Sequence, residues 1–262
     1  MSPKKNMSLQ VEKIRDHVLG YPVDLVSESA AIEVIEEAWR ENRGLHVVTI
    51  NAEMVVASQK DKQLDRIIRN ANLVVPDGAG VVWALRLAEA KNSRVQRLPG
   101  IELAASALAS AARLGQEVAL IGGRPEVMDK LVEELPTLHP GIKIVAFQNG
   151  FFDKTKEQQI LEKMAETRPK LVLVALGVPK QEFFIDRYRQ LFPQAVMIGV
   201  GGSFDVWTGF VKRAPITFQK FHCEWLYRLL KEPWRLSRMA QSLPNFAWQA
   251  LAEVLAKRTG RK

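Results

Sequence analysis

The stretch Leu73-Val74-Val75-Pro76-Asp77-Gly78-Ala79-Gly80 is a short apolar run that breaks into a carboxylate and two glycines. An unbroken run of Val and Leu is what a strand needs when both faces of its sheet are covered, as in parallel sheets. Five more runs of this kind predict strands at His46–Ile50, Val118–Gly122, Ile142–Phe147, Leu171–Leu176 and Val196–Val200. Longer amphipathic stretches separate them. Leu64, Ile67, Ile68 and Ala71 recur at helical spacing, and Pro125 suits the first position of a helix over Pro125–Leu135. Upstream, Ile32, Ile35 and Trp39 share one face of a helix that Ser27 or Ser29 can cap. Strands alternating with helical crossovers predict an α/β layered fold.

The composition agrees: with 262 residues, 47% hydrophobic and 25% charged, the chain can bury a large core and is neither collagenous nor disordered. One cysteine, Cys223, excludes an internal disulfide, and no Cys/His cluster has zinc-ligand spacing, which fits a reducing, cytoplasmic setting. Met1–Gln10 is polar, with no apolar segment behind it, and no apolar run reaches the roughly 18 residues a membrane span needs. Secretion and spanning are disfavoured.

The charge is unevenly placed. Residues 1–211 balance 26 Lys+Arg against 26 Asp+Glu, whereas residues 212–262 carry 11 against 3, so the whole surplus of +8 sits in the last fifth of the chain. There Pro215, Pro233 and Pro244 divide the sequence into short helical pieces, and Trp225, Trp234 and Trp248 interleave with Leu, Arg and Lys. Such an amphipathic basic element suits a membrane interface or a cover over a site. We read residues 1–211 as the core and 212–262 as an appendage that needs an anionic partner: nucleic acid, an anionic membrane or a phosphorylated substrate.

Ligands of open α/β sheets bind beyond the carboxyl ends of the strands, so Asp77 is a site candidate. Pro76-Asp77-Gly78 is equally a turn signal, and Asp77 could simply cap the next helix. Thr49, Asn51 and Glu53 follow another strand and share one side if the chain stays extended, or else form a capping cluster. Gly122-Gly123, Gly177 followed by Pro179-Lys180-Gln181-Glu182, and Gly201-Gly202 followed by Ser203-Phe204-Asp205 repeat a strand, glycine turn and helix start. That geometry presents N–H groups to an anion, and together with the Asp77-Gly78 loop these make four glycine-bearing loops on one edge, a nucleotide crevice. Gly78-x-Gly80-x-x-Trp83 misses the dinucleotide fingerprint at its third glycine. No Asp-x-Asp occurs to hold a divalent metal, so a departing diphosphate would rely on Arg213, Arg228, Arg235 and Arg238. None of the four histidines falls in a catalytic motif, and Cys223 reads as a packed residue.

Taken in order, Thr49-x-Asn51-x-Glu53, Pro76-Asp77-Gly78-x-Gly80, Arg97-x-x-Gly100, Leu176-Gly177-x-Pro179-Lys180-Gln181-Glu182, Gly201-Gly202-x-Phe204-Asp205-x-x-x-Gly209, Arg213-Ala214-Pro215, Glu224-Trp225-Leu226-Tyr227-Arg228-Leu229 and Glu232-Pro233-x-Arg235-x-x-Arg238 span the chain from about residue 18 to 240. This set resembles the WecG/TagA/CpsF family of bacterial glycosyltransferases, family 26. The resemblance implies a Rossmann-like core and a C-terminal helical appendage that closes over the site and contacts the membrane. It also implies inverting transfer of an N-acetylmannosamine-type sugar from a UDP donor to undecaprenyl-diphosphate-linked GlcNAc. In that scheme Asp77 is the general base and Thr49 its catalytic neighbour. Asn51, Gly78, Gly122, Gly177, Lys180, Gln181, Glu182, Gly201, Gly202, Asp205 and Arg213 bind substrate, with Arg228, Arg235 and Arg238 on the diphosphate. His222-Cys223 departs from the Gly-Leu common in the family at that point.

These readings make the protein an enzyme with no cofactor or metal beyond its UDP-sugar substrate, peripheral on the inner face of the membrane, with self-association left open. Two alternatives remain at this level. One is another nucleotide-dependent Rossmann enzyme, an oxidoreductase or methyltransferase; the other is a nucleic-acid-binding protein using its basic tail. The tail has no nucleic-acid recognition motif, so no nucleic-acid partner is expected.

Overall fold

A computed structural model describes residues 14–88, 95–153, 155–215, 218, 227 and 236–260. Its centre is a six-stranded, fully parallel sheet of β3 (Leu45–Ile50), β4 (Leu73–Pro76), β5 (Glu117–Gly122), β6 (Lys143–Gln148), β7 (Leu171–Ala175) and β8 (Val196–Gly199), in the order β4-β3-β8-β7-β5-β6. All six strands coincide with the expected runs to within a residue at each end.

Both faces of the sheet are buried, except at the edge strand β6, whose residues are all partly or fully exposed. Val47, Leu73, Val75, Leu120 and Ile198 pack on one side beneath α1 (Glu28–Arg40), α5 (Gly100–Leu114), α6 (Pro125–Leu138) and the short α9 (Ser203–Trp207). Their neighbours Val48, Ile50, Val74, Ile121, Val172 and Met197 point the other way. That side is covered by α2 (Ala52–Ser58), α3 (Lys62–Arg69), α4 (Ala79–Leu87), α7 (Glu157–Glu166), α8 (Lys180–Tyr188) and α10 (Leu236–Arg258). Successive side chains of a strand alternate between faces, so two apolar faces require the unbroken apolar runs seen in the sequence. The architecture is the Rossmann-like α/β fold expected from the resemblance, with a C-terminal helix added.

Ser27 caps α1, accepting the N–H of Ala30 at 3.2 Å, and Trp39 of that helix donates from Nε1 to the Lys170 carbonyl at 2.8 Å. One element had no counterpart in the sequence reading: β1 (Ile14–Val18) and β2 (Tyr21–Leu25) form an antiparallel hairpin against the β4 edge. Its anchor is Asp24, fully buried, which receives Arg15 Nε at 2.8 Å, Arg15 Nη2 at 2.9 Å and the N–H of Val74 at 2.7 Å. A carboxylate thus takes a backbone donor of the edge strand where a further strand would otherwise pair.

Within the last fifth of the chain, α10 presses Phe246, Ala250 and Val254 inward, and Phe246 and Ala250 join the cluster that holds Val81 and Leu85. Gln249 pairs with Gln59 at the end of α2, and Glu253 accepts the N–H of Leu19 in the hairpin turn at 3.1 Å. Among the described residues no helix is long and apolar enough to cross a membrane.

Candidate active site

Because the six strands are parallel, the loops after β3, β4, β5, β7 and β8 all open on one edge. At the β3 and β4 end the chain turns at Asp77, whose N–H donates to the Ile50 carbonyl at 3.0 Å; Gly78 donates to the same oxygen at 3.4 Å. A side chain on Gly78 would lie 2.9 Å from Asn51 Cβ, so this turn rests directly on Asn51. Asn51 in turn caps α2, accepting the Met54 N–H at 3.0 Å. The chain therefore leaves the extended state at Ala52, and Glu53 sits in the first turn of α2 rather than in line with Thr49 and Asn51.

The segment before α5 returns to the same place. Leu98 donates its N–H to the Pro76 carbonyl at 2.9 Å, which sets Arg97 beside the Asp77 turn. Gly100, the first residue of α5, lies against Thr49, which is 9% exposed. In the same first turn, Glu102 pairs with Arg213 at 2.5 Å. Asp77, Thr49, Asn51, Gly78 and Arg213, far apart in sequence, are thus gathered at one end of two adjacent strands. Arg97 was quoted as part of the motif set without a role, and its signal was the Arg97-x-x-Gly100 spacing that places it here.

The other half of the edge is made of glycine turns. Gly122 has φ +109°, and a Cβ there would come within 2.3 Å of the Ala175 carbonyl oxygen, so only glycine fits between β5 and β7. Gly123 donates its N–H to that same oxygen at 3.0 Å. Gly177, Gly201 and Gly202 border open space. Lys180, at the start of α8, is exposed, whereas Gln181 and Glu182 are each only 2% exposed and lie under the rim. Gln181 Oε1 accepts the Gly201 N–H at 2.9 Å, and its Nε2 donates to Glu182 Oε1 at 2.9 Å. Asp205, in α9, receives Arg124 Nη2 at 3.3 Å, and the Arg124 guanidinium covers the Phe210 ring at 5.3 Å.

Arg228 and Arg235 lie outside the described residues, as do Cys223 and His222; of Arg238 only the helical backbone is described. That backbone has a definite place. A side chain on Gly80, at the start of α4, would meet Phe246 at 3.7 Å, and α10 runs from there down alongside α2 to Gln59 and Leu19. The helix begins at Leu236, so the Arg238 backbone lies in its first turn, about two turns before Phe246. The near-fingerprint glycine Gly80 serves this close approach of helices, and Trp83 is 42% exposed.

An open parallel sheet with a carboxylate and a row of glycine turns on its carboxyl edge defines an α/β enzyme whose ligand is held by loops. The chain belongs to the WecG/TagA/CpsF family of glycosyl transferases, whose model matches residues 16–260, and it is a glycosyltransferase. It is 38% identical over 211 residues to the N-acetylglucosaminyldiphosphoundecaprenol N-acetyl-beta-D-mannosaminyltransferase of Bacillus spizizenii, which covers 80% of each chain. To the protein of the same description from Bacillus subtilis it is 37% identical over 231 residues, 87% of this chain and 88% of the relative.

Proposed function

We propose that this chain moves an N-acetylmannosamine-type sugar from a UDP donor to undecaprenyl-diphosphate-linked GlcNAc, inverting the anomeric carbon, in the building of a bacterial surface polymer or teichoic acid. The observation that carries the reading is the gathering of Asp77, Thr49 and Arg213 at one end of β3 and β4, facing a row of glycine turns along the same edge.

The chemistry needs two things from the protein. Asp77 takes the proton of the acceptor hydroxyl as its oxygen bonds to the anomeric carbon, and the bond from that carbon to the diphosphate oxygen breaks on the opposite face. The leaving UDP carries the electron pair, and its charge is met by the N–H groups at Gly177 and Gly202, by Arg213 and by the arginines of the appendage. Thr49 supports the base from β3. Asn51 and Gly78 shape its turn, Gly122, Gly177, Gly201 and Gly202 admit the phosphates, and Lys180 and Asp205 stand at the rim.

The acceptor is a lipid, which accounts for the surface of α10. Trp248, Leu251 and Leu255 are 73%, 40% and 60% exposed and follow one another at helical spacing on the side of α10 away from Phe246, Ala250 and Val254. In a chain segment with a surplus of Lys and Arg, this face suits peripheral contact with an anionic leaflet. UDP release from UDP-N-acetylmannosamine and other UDP-sugars, with a short-chain lipid-diphosphate-GlcNAc acceptor and with and without a chelator, tests the reading. Acceptor-dependent release is the expected result. Release from none of the sugars, or tight retention of a nicotinamide or S-adenosylmethionine cofactor on purification, overturns it.

A further inference from the structure

Gln181 and Glu182 open α8 with their side chains turned into the protein. A Cβ on Gly199 would come within 2.3 Å of Gln181 Nε2, so the amide lies flat on the last residue of β8. The amide orientation is fixed by its partners: the Gly201 N–H can only donate, so the oxygen faces it and the nitrogen faces Glu182. One Nε2 hydrogen is used by Glu182 Oε1. The other has no hydrogen-bond acceptor among the described residues, and Glu182 Oε2 is buried with no hydrogen-bond partner among the described residues.

An ionised carboxylate with a buried, unbonded oxygen and no cation beside it carries a large desolvation cost, which a proton removes. Among the described residues no cation lies within ion-pair distance of Glu182. On α3, Arg66 is paired with Asp186 at 3.1 Å and Arg69 with Asp65 at 2.9 Å, while Lys62 is exposed. On β3, His46 is buried and held neutral; β7 and β8 carry no ionisable side chain; Arg189 and, on α8 itself, Lys180 and Arg187 are exposed. Burial pushes Glu182 up to about 7, against the opposing bonds from Gln181 and its own backbone.

We infer that Glu182 is a positioning residue of the transfer reaction: as a neutral acid it sets the Gln181 amide, and through it the Gly201 N–H, so that the β8 turn receives the donor's diphosphate without a negative charge beneath it. This rests on the reading of the glycine turns as the diphosphate site. Once Glu182 ionises, the turn has an anion under it, and donor affinity falls. The role differs from that of Asp77, because Glu182 reaches the substrate only through Gln181 and the turn.

Three variants of the full-length chain separate the possibilities. Glu182→Gln keeps an acceptor for Gln181 and cannot ionise, whereas Glu182→Ala cannot ionise either but removes the acceptor. Donor KM, kcat and their pH dependence are measured for both, together with melting temperature. The 1H–15N side-chain amide signal of Gln181, identified by its loss in Gln181→Ala, is followed from pH 6 to 8. We expect Glu182→Ala to lower kcat/KM by about 10–100-fold, the size of effect that losing an outer partner has on metal ligands. Glu182→Gln should retain activity and lose the decline that wild type shows above about pH 7. The Gln181 signal should shift with pH in wild type and stay fixed in Glu182→Gln. A Gln181 signal that ignores pH in wild type, or an unchanged pH profile in Glu182→Gln, overturns the inference. If wild type accepts no UDP-sugar, the donor reading fails separately, and the Gln181 signal still decides whether Glu182 controls that amide.

Discussion

Thr49 occupies the space that a side chain on Gly100 would need: a Cβ at Gly100 would stand 3.0 Å from both Oγ1 and Cγ2 of Thr49. The first turn of α5 therefore rests on Thr49, at the end of β3 that pairs with the strand leading to Asp77. Gly100→Ala should destabilise the chain by about 1–3 kcal/mol through overpacking and lower activity by displacing Thr49. Adding Thr49→Ala should restore stability but not turnover. A thermal and kinetic double-mutant cycle measures both, and simple additivity of the two stability losses would argue against the contact.

Asp77→Asn keeps the backbone bond to Ile50 and replaces the carboxylate by a neutral amide of the same shape. We expect kcat to fall by about 10²–10⁴, the usual range for losing a general base. Wild-type turnover in this variant would remove Asp77 from the role.

The Asp24 carboxylate is the centre of the hairpin joint. Asp24→Ala leaves Arg15 and the Val74 N–H without their partner. Breaking a buried pair costs roughly 3–5 kcal/mol. Arg15 is 34% exposed, so water screens part of that and about 2–3 kcal/mol is expected. At this chain length that lowers Tm by roughly 5–10 °C. Calorimetry checks the figure, and Arg15→Ala should cost at least as much, since it leaves the fully buried Asp24 carboxylate without its cation.

His46 gives the fold an acid limit. Burial, with the charge of Arg189 adding to it, lowers its pKa from 6.5 to about 3, and Nε2 has no hydrogen-bond partner among the described residues. The unfolded chain thus takes up the proton first, so this contribution to stability is complete above pH 6.5 and is lost as pH falls from 6.5 toward 3. At pH 5 the loss is about 2 kcal/mol. His46→Leu should show a smaller drop in urea stability between pH 7 and pH 5 than wild type; equal drops would place the titration elsewhere.

Trp248→Glu and Leu255→Glu on α10 should reduce co-sedimentation with vesicles containing anionic lipid while leaving the melting temperature within about 1 °C, since exposed positions contribute little to folding. Undiminished vesicle binding in the double variant would move the membrane contact to another surface.

The core strands were legible because two buried faces demand unbroken apolar runs, and Val47 and Val48 illustrate it by packing on opposite sides. Strand order was not, because the sequence of β8 carries no mark that it inserts between β3 and β7. The hairpin escaped for a local reason. Its turn is Leu19-Gly20, with Leu19 at φ +49°, and a leucine there gives none of the usual Asn or Asp signal. Asp77, Thr49 and the glycine turns were visible as strand-end residues. Only three-dimensional packing revealed that Gln181 and Glu182 lie beneath a turn, since helix-opening polar residues ordinarily face solvent. Asn51 illustrates the mixed case: the capping alternative is realised in its bond to Met54, at a position that also touches Gly78.

The docking of α10 has a kinetic meaning. Ala214 is buried on one side and Phe246 on the other, so the sequence between them, Arg228 and Arg235 included, is joined to the folded core at both ends. Covalent attachment makes any encounter between those arginines and a ligand at the sheet edge intramolecular, for which effective concentrations of about millimolar order are usual. Cutting the backbone within that stretch would turn an intramolecular encounter into a dilution-sensitive one, even with every residue still in solution.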